Sequence, residues 1–96
     1  MGPRILMEKL YETFAGAEQH LWYLAMPGGA LVAVSHVSFA ADTMEPECMA
    51  FPAELVAGEY TISSFENLAV SYSPDPEEGL REVVAKLMEM HEEGEI

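Results

Sequence analysis

Apolar residues recur along this chain at two different periods, and the places where the period changes mark its elements. Over residues 3–15, Met7, Leu10 and Phe14 follow one another at spacings of three and four, Pro3 suits a first helical turn and Gly16 a stop. That pattern predicts an N-terminal helix with one core-facing stripe. Residues 20–26 and 30–39 are rich in Trp, Tyr, Leu and Val and flank Pro27-Gly28-Gly29, which predicts two antiparallel strands joined by a turn. In the second of these, Leu31, Ala33, Val37 and Phe39 alternate with Val32 and Val34, so neither face is polar and a central place in a sheet is expected. Residues 47–51 form a third strand candidate closed by Pro52, while 60–63 and 68–72 are shorter β-prone runs.

The last element carries the strongest boundary signal. Asp75 is placed as an N-cap, Pro76 as the first helical residue and Glu78 as the acid three after the cap. From residue 76 to about 91, Leu80, Val83, Val84, Leu87, Met88 and Met90 share one arc, and Glu78, Arg81, Glu82, Ala85, Lys86, Glu89, Glu92 and Glu93 share the opposite one. The first arc should pack on the sheet. Gly79, in the first turn, costs this helix about 1 kcal/mol relative to Ala. The expected fold is α+β, one domain over residues 1–96: an antiparallel sheet of three to four strands with an N-terminal and a C-terminal helix packed on it.

Composition adds one fact that changes the picture. Seventeen acidic residues against four basic ones give a formal charge of −13, whereas small soluble domains usually carry a magnitude of about 2 to 8. Up to residue 40 the balance is Glu8, Glu12 and Glu18 against Arg4 and Lys9, a net of −1; beyond it 14 acids face Arg81 and Lys86, a net of −12. With so few cations, direct binding to a nucleic-acid backbone is not expected, and a basic protein is the natural counterpart. Cys48 is the single cysteine, so no intrachain disulfide can form. No apolar run reaches the roughly 20 residues of a membrane span, and the start lacks the pattern of a signal peptide, so a cytoplasmic setting with no membrane partner is expected.

Candidate chemistry is sparse. His20, His36 and His91 fall in no pair or Cys/His cluster of the spacing metal sites use, so no metal and no cofactor are expected. Cys48 follows Glu45-Pro46-Glu47, neighbours that oppose a thiolate, and reads as a small buried strand residue. The serines lack a nucleophile-elbow motif, and Gly28-Gly29 precedes a strand rather than a helix, so it reads as a turn and not a phosphate loop. Seventeen carboxylates make any one acid pair unspecific, and no catalytic residues are assigned; the chain does not read as an enzyme.

The acids themselves carry the functional signal. At 100° per residue Glu78, Glu82, Glu89 and Glu93 share a narrow sector of the last helix and span roughly 22 Å of it. Acids near a helix N-terminus are ordinary, since they complement its dipole, but Glu89, Glu92 and Glu93 crowd the end where the dipole disfavours them. Together with Asp42, Glu45 and Glu47 of the preceding loop they form the candidate binding set. The run Glu47-Cys48-Met49-Ala50-Phe51-Pro52-Ala53, then Glu66-Asn67-Leu68-Ala69-Val70-Ser71-Tyr72 and an acidic helix, resembles small uncharacterised proteins of phages and their bacterial hosts. In style the chain is similar to acidic anti-CRISPR and DNA-mimic inhibitors. That resemblance implies a phage anti-defence protein that blocks a basic nucleic-acid-binding effector by presenting carboxylates as a DNA or RNA mimic. The alternative is a structural or assembly module that forms homodimers, or docks on another protein, through apolar sheet surface at Trp22, Tyr23 and the strand from Leu31.

Overall fold

The densest burial lies on strand β3 (Leu31–Val37), where five consecutive residues from Val32 to His36 are closed off from solvent. Such two-sided burial requires a neighbour on each edge and a cover on each face. The computed structural model, which describes residues 2–12, 18–37 and 47–96, supplies all four. β2 (Glu18–Ala25) pairs antiparallel on one side, with Trp22 opposite Val34, and β4 (Cys48–Val56) on the other, with Ala50 opposite Val34. β1 (Arg4–Glu12) extends the sheet beyond β2, and β5 (Glu59–Ile62) forms a hairpin with β4. The serial order is therefore β1-β2-β3-β4-β5, and β6 (Ala69–Ser71) pairs with the first part of β4, opposite Cys48, Met49 and Ala50. One helix, α1 (Pro76–Glu92), follows.

Two expectations are corrected. The sheet has six strands rather than three to four, and Arg4–Glu12 is a strand, not part of an N-terminal helix. A helix of that length is marginal by itself in water and forms only where packing supports it. β2 is buried from Leu21 to Leu24, and the backbone groups on its outer edge need partners that a helix, whose own groups are satisfied internally, cannot offer. β1 meets that need. Met7 and Leu10 lie in one unbroken register opposite Tyr23 and His20, so residues three apart fall on opposite faces of the strand rather than on one helical stripe. Phe14 to Gly16 lie outside the described residues.

Pro52 does not end β4. Residues up to Pro52 pair with β3 and residues after it pair with β5. Its carbonyl accepts from Ser63 N at 2.9 Å, one residue beyond the β4–β5 ladder, so the proline forgoes only the reciprocal bond of that terminal pair. The β4–β5 turn is Ala57-Gly58, both with positive φ (51° and 82°), as a two-residue hairpin that matches strand twist demands.

Beyond Pro52 the sheet curls into a half-barrel, and β5 reaches across the inner face so that Tyr60 stacks on Tyr23 with ring centroids 5.5 Å apart. Leu21, Tyr23 and Ala33 are buried there against Ala53, Tyr60 and Ile62. The outer face holds Trp22, Leu24, Val32, Val34, Cys48, Ala50 and Ala69, and α1 seals it with Val83 and Leu87. Fully burying residues of this size contributes about 1.5–3 kcal/mol each. The cap forms as its sequence indicates: Glu78 N donates to Asp75 Oδ2 at 3.1 Å. Trp22 and Tyr23 are 3% and 6% exposed, so the apolar surface expected around them is interior and cannot serve as an interface between copies.

Gly79 has a packing reason that the sequence concealed. A Cβ there would lie 3.1 Å from Cys48 Cβ and 3.2 Å from the His36 ring, so the helix touches the sheet through bare backbone at this point. Gly79→Ala should gain about 1 kcal/mol of helix propensity and lose about 1–3 kcal/mol to overpacking, a net destabilisation. Gly79→Val should be worse still. Urea unfolding midpoints of the two variants measure both, and an alanine variant more stable than the parent would contradict the close contact.

Candidate functional site

α1 lies over β3, β4 and β6, and a groove of about 570 Å³ runs along its β6 side. One wall is the solvent arc of the helix, with Glu78, Glu82, Glu89 and Lys86. The other is the segment leaving β6, Ser71 to Pro74, held in shape by its own hydroxyls: Ser71 Oγ accepts from Ser73 N at 3.2 Å and Ser73 Oγ from Asp75 N at 3.3 Å. Ser71 Oγ also donates to Glu82 Oε2 at 2.5 Å, tying the two walls together. Tyr72, 63% exposed, is part of the same lining.

The lysine in this groove is turned to another task. Lys86 Nζ donates to Val70 O, satisfying a carbonyl on the outer edge of β6. Among the described residues, ion-pair geometry is confined to His20 with Glu8 and His36 with Glu47, so neither Lys nor Arg pairs with the helix acids. The groove is thus lined by three carboxylates and the Lys86 ammonium, with Glu82 hydrogen-bonded to Ser71. Such a surface can receive cationic side chains, with the Tyr72 ring available to stack on a guanidinium.

The other candidate acids are dispersed. Glu92 and Glu93 are exposed at the last turn beyond the groove. Glu47, at the entry to β4, is turned toward the sheet, with Oε2 3.8 Å from His36 Nε2. Asp42 and Glu45 lie outside the described residues. Helical spacing was enough to group Glu78, Glu82 and Glu89. It gave no sign of Ser71, Ser73 or Tyr72, because the opposing wall exists only once β6 pairs with β4 across 20 residues of chain.

A second polar row crosses the sheet beneath the helix N-terminus. His20 opposes His36, His36 opposes Cys48, and Cys48 opposes Ser71, all on the face that α1 covers. The histidine and cysteine that looked unrelated in sequence are therefore direct neighbours, yet the arrangement is unsuited to nucleophilic chemistry. His36 is 1% exposed; its Nε2 donates to Ser73 O at 3.0 Å, and its Nδ1 is buried with no hydrogen-bond partner. Burial pushes the Cys48 thiol up to about 12, with Glu82 adding to the rise and Lys86 opposing it. The acid that acts on the thiol is Glu82, from the helix. No three His, Cys, Asp or Glu side chains cluster as metal ligands among the described residues.

On its other side α1 leaves a smaller groove against β1 and β2, where His20 stacks on Trp22 at 5.0 Å and Glu8, Glu77 and Arg81 form the rim. No helix among the described residues is long and apolar enough to cross a membrane. No family model, curated protein or solved structure matches the chain.

The raised Cys48 pKa has a thermodynamic consequence. The folded state holds the thiol proton above its ordinary pKa of 9.0, so stability is full below pH 9 and declines as pH rises toward about 12. The slope attributable to Cys48 should approach roughly 1.4 kcal/mol per pH unit. Comparing parent and Cys48→Ala in urea between pH 8 and pH 11 isolates it: the gap between them should narrow as pH rises. Native Cys48 should also resist a thiol reagent that labels the unfolded chain at once.

Proposed function

We propose that this chain is a non-catalytic acidic binding protein that blocks a basic, nucleic-acid-handling partner by offering carboxylates where that partner expects phosphates. The observation carrying the reading is the groove itself: Glu78, Glu82 and Glu89 on one helix, outnumbering Lys86 and ion-paired to no Lys or Arg among the described residues, with an exposed Tyr72 in the same lining. Glu78 to Glu89 extends about 16 Å along the helix axis. A row of fixed anions with that reach suits a channel or cleft whose arginines and lysines otherwise track a nucleic-acid backbone. Glu92 and Glu93 continue the negative surface past the end of the groove.

Fixing the carboxylates on a helix has an energetic reason. A flexible acidic tail loses conformational entropy when it binds, whereas a helix whose opposite arc is buried by Val83 and Leu87 has already met that cost in folding. The segment resemblance to phage proteins makes an anti-defence role, of the anti-CRISPR kind, the biological setting of this proposal. The basic partner is defined by chemistry: an arginine-bearing surface normally occupied by DNA or RNA.

Binding of an arginine-rich peptide to the intact chain, followed by titration calorimetry, tests the site. Affinity should fall steeply with salt, since exposed charges are screened within about 10 Å at 0.1 M. The triple variant Glu78→Gln, Glu82→Gln, Glu89→Gln should lose about 0.2–1 kcal/mol per removed charge, and Tyr72→Ala about 0.5–1 kcal/mol through loss of ring stacking. Binding that survives the triple substitution at unchanged strength would overturn the reading.

A further inference from the structure

Among the described strands, β1 has the longest open edge. Its nine residues pair only with β2 among those described, leaving a full-length open edge. β5 at the far side of the sheet has four residues, and β6 has its outer carbonyl at Val70 taken by Lys86. Long open edges are normally blunted, by charge or by a bulge. Here the irregularity lies between Ile5 and Met7, near one end, and leaves Met7 to Glu12 in regular register.

Both faces of this edge strand carry exposed apolar side chains. Ile5 and Leu10, 52% and 59% exposed, lie on the side that carries α1, opposite Leu24 and His20. Met7 and Tyr11 lie on the other side, opposite Tyr23 and Gln19. The strand is also electrically neutral: Arg4 and Lys9 balance Glu8 and Glu12, so half of the chain's four basic residues stand here. On a molecule of net charge −13, two copies repel wherever their acidic surfaces meet, and β1, with no net charge of its own, adds nothing to that repulsion.

We infer that β1 is a self-pairing edge, and that two copies of this chain join antiparallel through it about a two-fold axis near Glu8, continuing the sheet across the dimer. The register follows from the side chains. An axis at Glu8, with the irregularity absorbing one residue, brings Ile5 of each copy against Leu10 of the other on the helix-bearing face, and Arg4 against Tyr11 on the opposite face. An axis at Lys9 or Leu10 sets Ile5 or Glu8 against Glu12 instead. The two Glu8 carboxylates meet at the axis, and each has the imidazole of its own His20 3.7 Å away to moderate the approach.

The inference is independent of the acidic groove and has the opposite salt dependence. Screening weakens capture of a cationic partner but relieves repulsion between two copies of charge −13, so self-association should strengthen as salt is raised. Light scattering on the intact chain during size exclusion should show twice the 10.6 kDa of one chain at high salt. Leu10→Lys, at an exposed position, should return the mass to that of one chain with the circular dichroism unchanged.

Cysteine pairing fixes the register. Directly opposed residues have Cα atoms about 4.5–5.5 Å apart, within disulfide range, so Glu8→Cys should link two copies under mild oxidation. Leu10→Cys, whose counterpart across the axis lies roughly 13 Å away, should link far less. The buried Cys48 does not compete. A chain that is monomeric at every salt concentration overturns the inference, including the case in which the edge takes a strand from a different protein. A dimer that survives Leu10→Lys, or that links at Leu10→Cys and not at Glu8→Cys, overturns it as well.

Discussion

The contact of α1 backbone at Gly79 with His36 and Cys48 is the constraint on which the rest of the arrangement turns. It allows the helix N-terminus to come down onto the sheet without an intervening side chain. Val83 and Leu87, one and two turns on, then drop into the layer formed by Val34, Ala50 and Ala69. With the buried arc fixed, the opposite arc has no rotational freedom, and Glu78, Glu82 and Glu89 must face the segment that leaves β6. The direction in which the acids point is therefore decided in the apolar layer beneath them.

The same layer explains the silent chemistry. A histidine opposite a cysteine, with a serine and a glutamate close by, contains the residue types of a nucleophilic site. Here the helix covers them. Desolvation keeps the thiol protonated, and His36 spends its Nε2 on the Ser73 carbonyl, which shapes the turn into the helix cap. These groups hold the groove wall in place from behind.

How much of this was legible in the sequence depended on whether a signal was local. Asp75-Pro76 and the arc from Leu80 to Met90 specify the helix by short-range rules, and it forms over Pro76–Glu92 as they require. Pro27-Gly28-Gly29 likewise marks the β2–β3 turn, with Gly29 N donating to Met26 O at 2.9 Å. β1 was misread because its state is set by β2, a neighbour whose exposed backbone groups outweigh the helical spacing of Met7 and Leu10. Pro52 was misread for a related reason: it falls where β4 passes from its β3 pairing to its β5 pairing, and its missing donor costs one bond at the end of the β5 ladder. In the groove, the three glutamates share a helix and were found together, whereas Tyr72 and the two serines arrive by long-range pairing that no local pattern encodes.

The serial order of the sheet also fixes a sequence of assembly. From β1 to β5 each strand lies beside its predecessor, so the meander can zip up through contacts of short sequence separation. α1, in contrast, must close a loop of some 40 residues to bring Gly79 to His36, and it follows all six described strands in the chain. Until it lands, Trp22, Leu24, Val32 and Val34 form a bare apolar sheet face on a nascent chain. The helix that lands there carries an acidic outer arc, so the same docking event that hides the sticky surface replaces it with a charged one.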